Sequence, residues 1–220
     1  TRGLCPFGGR QNPRFGLLQY YMIRAFDSLD AVWTLACERA DIAGQLLAET
    51  LLERRHGRRP VTLIGFSMGA RLIFACLTAL EHEHSSFLAE RAQAAAKGAA
   101  AGDASDSGAD DTREDSTEKS DESPVAGLIE SCVLMGIPVS VDGKWEKARK
   151  VVSGRLINCY STHDWTLSLL YRSQRWSSTV AGIRQVPSMG IENCDVSSQI
   201  NSHTDYATSV PGILELVGDD

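Results

Sequence analysis

Three side chains in this chain could together cleave an ester. Ser67 sits at the centre of Gly65-Phe66-Ser67-Met68-Gly69, a G-x-S-x-G pattern. A serine hydroxyl is a poor nucleophile at neutral pH. It needs a histidine to take its proton and a carboxylate to fix that histidine's tautomer and balance its charge. Where such a serine stands on a strand-to-helix turn, the chain order is serine, then acid, then histidine. Asp164 and His203 supply that order.

Other roles stay open for each residue. Ser67 could be an ordinary serine in a tight turn. Asp164 stands where a loop gives way to a helix and could simply cap that helix. Asp142, after the preceding strand, and Asp195, inside the last one, are alternative acids. His56, His82 and His84 come too early in the chain, and His163 is adjacent to Asp164 and would compete with it for space. His203 could be an ordinary surface histidine, but it is the best base by elimination.

These residues need elements to position them. Val61 to Ile64 is a short apolar run suited to a buried strand, and Leu72 to Leu80 reads as a buried helix. The turn between them would thrust the Ser67 hydroxyl above the sheet edge, with the helix backbone passing close at Gly65 and Gly69, where a Cβ would clash. The helix would begin at the serine, so the backbone N–H of Met68 is the expected first oxyanion donor. Downstream, strands are expected at Ile129 to Ile137, Arg155 to Tyr160 and Ile191 to Val196. Helical stretches are expected at Trp145 to Val152 and Val210 to Val217, and a helical or irregular apolar stretch at Leu167 to Tyr171. Strands alternate with helices, which predicts an α/β fold: a mostly parallel sheet with flanking helices. Asp164 and His203 both follow carboxyl ends of expected strands, where the sites of parallel sheets collect.

Upstream, apolar residues at Val32, Leu35, Ala36, Ile42, Ala43, Leu46, Leu47 and Leu51 recur at helical spacing, predicting a helix from Leu29 to Arg55 with one buried stripe. Asp27 or Ser28 could cap it, and Gly57 could end it. Leu17 to Phe26 is apolar but of uncertain type, and residues 1 to 16, rich in Gly, Pro and Arg, read as loop.

Composition sets the bounds. The chain has 220 residues, is 43% hydrophobic and carries a net charge of −6. Residues 91 to 124 hold nine acidic and four basic residues, so this stretch accounts for −5 of that charge. It lacks aromatic and nearly all large aliphatic residues, which predicts a disordered acidic insertion. The near-neutral remainder excludes nucleic-acid binding as an expectation. The six cysteines form no metal spacing. They read as reduced residues, four of them in or beside apolar elements, in a cytosol-facing environment. No metal or organic cofactor is expected. The chain starts at Thr1 and has no apolar run near the roughly 20 residues of a spanning helix. A soluble piece is therefore expected, with room for a membrane segment upstream.

Several motifs, in order, resemble one family. They are residues 58–71 around the G-x-S-x-G pattern, Leu134-Met135-Gly136-Ile137-Pro138-Val139, and Trp145 with residues 151–158. Asp164-Trp165, Glu192 to Val196 and Ser202 to Tyr206 complete the set. The chain resembles the transmembrane and coiled-coil domain-containing protein 4 family, a eukaryotic group defined by a domain of unknown function. That resemblance implies an α/β-hydrolase-like fold with membrane-associated apolar segments upstream. It gives Ser67, Asp164 and His203 the catalytic roles. The early strands of such a sheet are not recognisable here, so the edge strand and an apolar face are expected to be exposed.

The resulting organisation is a poorly defined segment 1–28, a hydrolase part 29–90, the insertion 91–124 and the rest of the same domain at 125–220. The expected function is a serine esterase or lipase acting on an acyl-ester or lipid substrate. The longer family member would be membrane-associated, with this domain facing the cytosol. The alternative is an inactive trafficking or scaffold protein that keeps the fold and binds protein partners.

Overall fold

A computed structural model describes residues 13–57, 59–101, 123–175 and 179–218. The elements run α1 (Pro13–Leu52), β1 (Val61–Phe66), α2 (Met68–Ala101), β2 (Ile129–Met135), α3 (Lys144–Arg149) and β3 (Leu156–Tyr160). Then follow α4 (Trp165–Arg175), β4 (Ile191–Asp195) and α5 (Tyr206–Gly218), with single 3₁₀ turns at Ala181–Ile183 and His203–Asp205. The four strands form one sheet in the order β1-β2-β3-β4, and every pairing is parallel. The fold is α/β.

Side chains alternate across a strand, and the core follows that period. Cys132, Leu134 and Leu156 face α2 and α3, where Leu77, Leu80, Phe74 and Trp145 are buried. Val133, Met135, Ile157 and Cys159 face the other way and are covered by Tyr206, Ile213 and Val217 of α5. All five residues of β3 are buried. β1 differs. Its alternate residues Ile64 and Phe66 remain 46% and 39% exposed, and among the described residues it pairs with β2 alone.

The helices depart from expectation in three ways. α1 begins at Pro13 rather than Leu29. Proline is at home in a helix's first turn, and Asp27 and Ser28 lie inside the helix, not at its cap. The buried stripe of α1 is only in part the expected one: Leu51 is buried and Leu47 packs against the core, as expected. Val32, Leu35, Ile42 and Leu46 are exposed, while Ala40, Ala48 and Leu51 are buried. The reason is close packing: a Cβ on Gly44 would stand 2.6 Å from Ala75 Cβ and 2.9 Å from Cys76 N. Small residues let α1 lie against α2, so the larger ones turn outward. Finally, α2 runs on to Ala101, into the stretch expected to be disordered. Residues 92–101 are mostly alanine, the strongest helix former. Lack of core-forming residues argued against packing, not against helix. Residues 102–122 lie outside the described residues. No helix among those described is long and apolar enough to cross a membrane.

Candidate active site

β1 ends at Phe66 and α2 begins at Met68, so Ser67 alone makes the turn. Its φ is 53°, in the left-handed region that non-glycine residues rarely adopt. The surroundings hold it there. Ser67 N–H donates to Met135 O at 2.9 Å, continuing the ladder to β2, and Ser67 O accepts from Arg71 N at 3.1 Å as the first bond of the helix. Gly65 is required by space, since a Cβ there would stand 2.7 Å from Ile73 Cδ1 and 2.8 Å from Gly69 C. Gly69 is not: it is exposed and a Cβ would meet nothing within 4 Å. The expectation of a clash at Gly69 is corrected, because that residue points away from the strand.

The three expected residues converge. Ser67 Oγ lies 2.7 Å from His203 Nε2. His203 Nδ1 lies 2.6 Å from Asp164 Oδ2. With Nδ1 protonated, the ring donates to the carboxylate and accepts from the serine, the arrangement a base needs. Asp164 is fully buried and His203 is 16% exposed at its side chain.

The cap and relay roles weighed for Asp164 turn out to be compatible. Oδ1 accepts from Leu167 N–H at 2.9 Å, capping α4, while Oδ2 takes the histidine. The other candidates are occupied elsewhere. Asp142 accepts from Lys144 N–H at 2.9 Å. Asp195 accepts from the Ser197 hydroxyl and from Ser197 N–H, and these bonds hold its pKa below the usual carboxylate value. His163 Nδ1 lies 3.0 Å from Ser197 O, and His84 Nδ1 2.7 Å from Ser123 Oγ.

Residues that spacing alone did not single out fix the histidine's loop. Asp205 Oδ2 accepts from Asn201 N–H at 3.0 Å and from Ser202 N–H at 2.9 Å. The buried Ser161 hydroxyl donates to Ile200 O at 2.9 Å. Tyr206 stands edge-on to the His203 ring, with centroids 5.8 Å apart. Burial, and secondarily the Asp164 charge, push the Tyr206 phenol pKa well up. Gly136, with φ of 54° just beyond β2, makes room for it: a Cβ there would lie 2.8 Å from Tyr206 Cζ. Only the Ser202 to Tyr206 motif hinted at this support.

Arg71, one helical turn beyond the serine, ties α2 to its neighbours. Nε and Nη2 donate to Asp41 at 2.9 and 2.7 Å, and Nη1 donates to Pro138 O at 2.9 Å. It borders a cavity of about 580 Å³ between α1, α2 and the segment after β2, with Phe74, Val139 and Tyr171. Neither Ser67 nor His203 lines that cavity.

Comparison with known proteins supplies the context. The family described as "Protein of unknown function (DUF726)" matches residues 20–96 and 118–220. The chain belongs to this family. A rice protein named transmembrane and coiled-coil domain-containing protein STS1 is 38% identical over 195 residues, covering 88% of this chain and 24% of its own length. An uncharacterised membrane protein of Caenorhabditis elegans is 34% identical over 194 residues, covering 86% and 25%. The probable lipase MIL1 of Saccharomyces cerevisiae is 34% identical over 193 residues, covering 86% and 14%. The chain thus spans a quarter or less of the length of these relatives. No solved structure matches it.

Proposed function

We propose that this chain carries the catalytic centre of a serine hydrolase of the esterase or lipase type. The observation that carries the reading is the unbroken relay from Ser67 through His203 to Asp164, at 2.7 and 2.6 Å. Ser67 Oγ attacks the ester carbonyl carbon as His203 Nε2 takes its proton. The tetrahedral oxyanion meets the Met68 N–H, which opens α2 and has no acceptor within the helix. The intermediate collapses, the C–O bond to the alcohol breaks, and His203 returns the proton to the departing oxygen. Water then repeats the sequence on the acyl-serine and releases the acid. Asp164 keeps Nδ1 protonated and balances the imidazolium charge throughout.

The substrate in this reading is an acyl ester of lipid type, in keeping with the yeast relative's name of probable lipase. Membrane association of the longer protein follows the relatives named as membrane proteins. The second oxyanion donor is assigned to an element lying alongside the open edge of β1, the side from which such hydrolases supply it.

Labelling with a fluorophosphonate, which reacts with an activated serine, tests this directly. The chain, its Ser67→Ala variant and a form extended toward the length of its relatives would be compared. Labelling that disappears in Ser67→Ala is the expected result. A folded, extended protein that does not label overturns the hydrolase and favours a scaffold that retains the fold.

A further inference from the structure

We infer that Cys159 and Cys194 form a redox-modification site, a dithiol that a peroxide closes reversibly to a disulfide between β3 and β4. The two residues are partners in the parallel register of those strands. Register neighbours in a sheet point to the same face, here toward α5. Cys159 is fully buried there with Met135, Ile157 and Tyr206, and Cys194 packs on that cluster while staying half-exposed. The two thiols are in hydrogen-bond contact. Burial, then the Cys194 charge and this hydrogen bond, push the Cys159 pKa up, so Cys159 keeps its proton.

The two thiols divide the chemistry. Cys194 is the one a small oxidant reaches. Its thiolate attacks hydrogen peroxide: an S–O bond forms, the O–O bond breaks, and the hydroxide released takes up the proton that the thiol gave. The Cys159 sulfur then attacks the sulfur of this sulfenic acid. The S–S bond forms, the S–O bond breaks, and the Cys159 proton leaves with the hydroxyl as water. One peroxide takes two electrons from the pair and becomes two waters. Neighbouring strands stand about 4.8 Å apart, whereas a relaxed disulfide holds its Cβ atoms about 3.8 Å apart. The bridge must therefore draw the strands together. β4 can yield, because among the described residues it pairs with β3 alone and Cys194 is one residue from its end. A bridge under such tension is readily reduced, as labile disulfides are. Cys76 on α2 and Cys132 on β2 make the contrast. They belong to one cluster on the other face of the sheet, but both are fully buried, out of reach of an oxidant. Neither Cys159 nor Cys194 takes part in the relay, so the modification requires no catalysis at Ser67.

Peptide mapping of the intact chain after brief exposure to hydrogen peroxide, with remaining thiols alkylated, tests it. Trypsin cuts after Arg155, Arg172 and Arg184, so the peptides 156–172 and 185–220 each carry one of the two cysteines. The expected result is these two peptides joined, lighter than their sum by two hydrogens, and separated again by dithiothreitol. In Cys159→Ala the bridge is lost, and dimedone should trap the sulfenic acid on Cys194. In Cys194→Ser the bridge is lost and Cys159 should stay a thiol, because the oxidant has no entry. Cys76 and Cys132 should remain reduced throughout, and circular dichroism shows that each protein is folded. A folded chain whose two peptides never join overturns the inference, as does Cys194 passing to sulfinic acid without a bridge. So does oxidation of Cys76 or Cys132 before this pair. Ser67→Ala should oxidise as the unaltered chain does, so failed fluorophosphonate labelling removes the hydrolase alone, and labelling without a bridge removes the redox site alone.

Discussion

The two sides of the sheet are built to different standards. Toward β3 and β4, every β3 residue is buried, and the polar groups that enter the interior are largely tied down, with Asn158 Oδ1 and the Tyr206 hydroxyl left without a protein partner among the described residues. Asp164 holds two donors, and the Asn158 amide donates to Ala181 O at 3.1 Å and Arg184 O at 3.0 Å. Toward β1, Ile64 and Phe66 are exposed, and α1 turns Val32, Leu35, Ile42 and Leu46 outward. The difference separates two tasks. Moving a proton between serine and histidine needs fixed geometry, and the β3–β4 side supplies it. In the proposed hydrolase, holding an acyl group would need a shaped apolar wall, and the β1 side carries exposed apolar residues from which one could be built.

Breaking the well-built side should have the largest effect. Asp164→Asn leaves an oxygen to cap α4 but presents a donor to Nδ1, forcing the wrong tautomer. Ester hydrolysis is expected to fall by about 10⁴, while the thermal midpoint moves little. Steady-state kinetics and a thermal melt on the same sample check both halves of that statement.

Stability should divide along the same line. Leu80→Ala, in the packed interior, is expected to cost about 2–5 kcal/mol. Phe66→Ser, on the open face, should change stability by roughly 0.5 kcal/mol or less. Urea denaturation of the two variants sharpens the contrast, and equal losses would erase it. A finer version uses glycines. Gly136→Ala forces a methyl against the Tyr206 ring at a left-handed φ and should cost about 1–3 kcal/mol. Gly69→Ala meets open space inside a helix and should gain up to about 1 kcal/mol. Thermal shift resolves opposite signs of this size.

The last effect is nil at neutral pH and shows only in alkali. Burial raises the Cys76 and Cys132 thiols from 9.0 to about 12. In the unfolded chain these thiols ionise near their ordinary value, while in the fold they keep their protons. Their contribution to stability is therefore whole below pH 9 and is lost as pH rises toward 12, by at most about 1.4 kcal/mol per unit and thiol. Urea midpoints measured above pH 9, against a Cys76→Ala, Cys132→Ala double variant, isolate that slope.

The relay was legible because its chemistry restricts residue types and order. Gly65, Ser67, Asp164 and His203 could each be named from the sequence, and the strands announced themselves as apolar runs. What was not legible has physical causes. The ends of α1 and α2 depended on helix propensity in stretches that pack against little. The inward face of α1 depended on how closely two helices approach at Gly44, which periodicity does not encode. The parts of Tyr206 and Ser161 exist only once distant segments meet. Asp164 looked like a choice between two roles because a sequence lists residues, whereas a carboxylate has two oxygens.

That division of Asp164 acts as an interlock. One oxygen confirms that the first turn of α4 is wound, and the other aims the histidine, so neither task completes without the same buried carboxylate in the same place. A copy of the chain whose α4 has come undone loses its aimed base at the same moment. A misassembled molecule would then carry an unaimed serine, so damage to the fold would disarm the relay first.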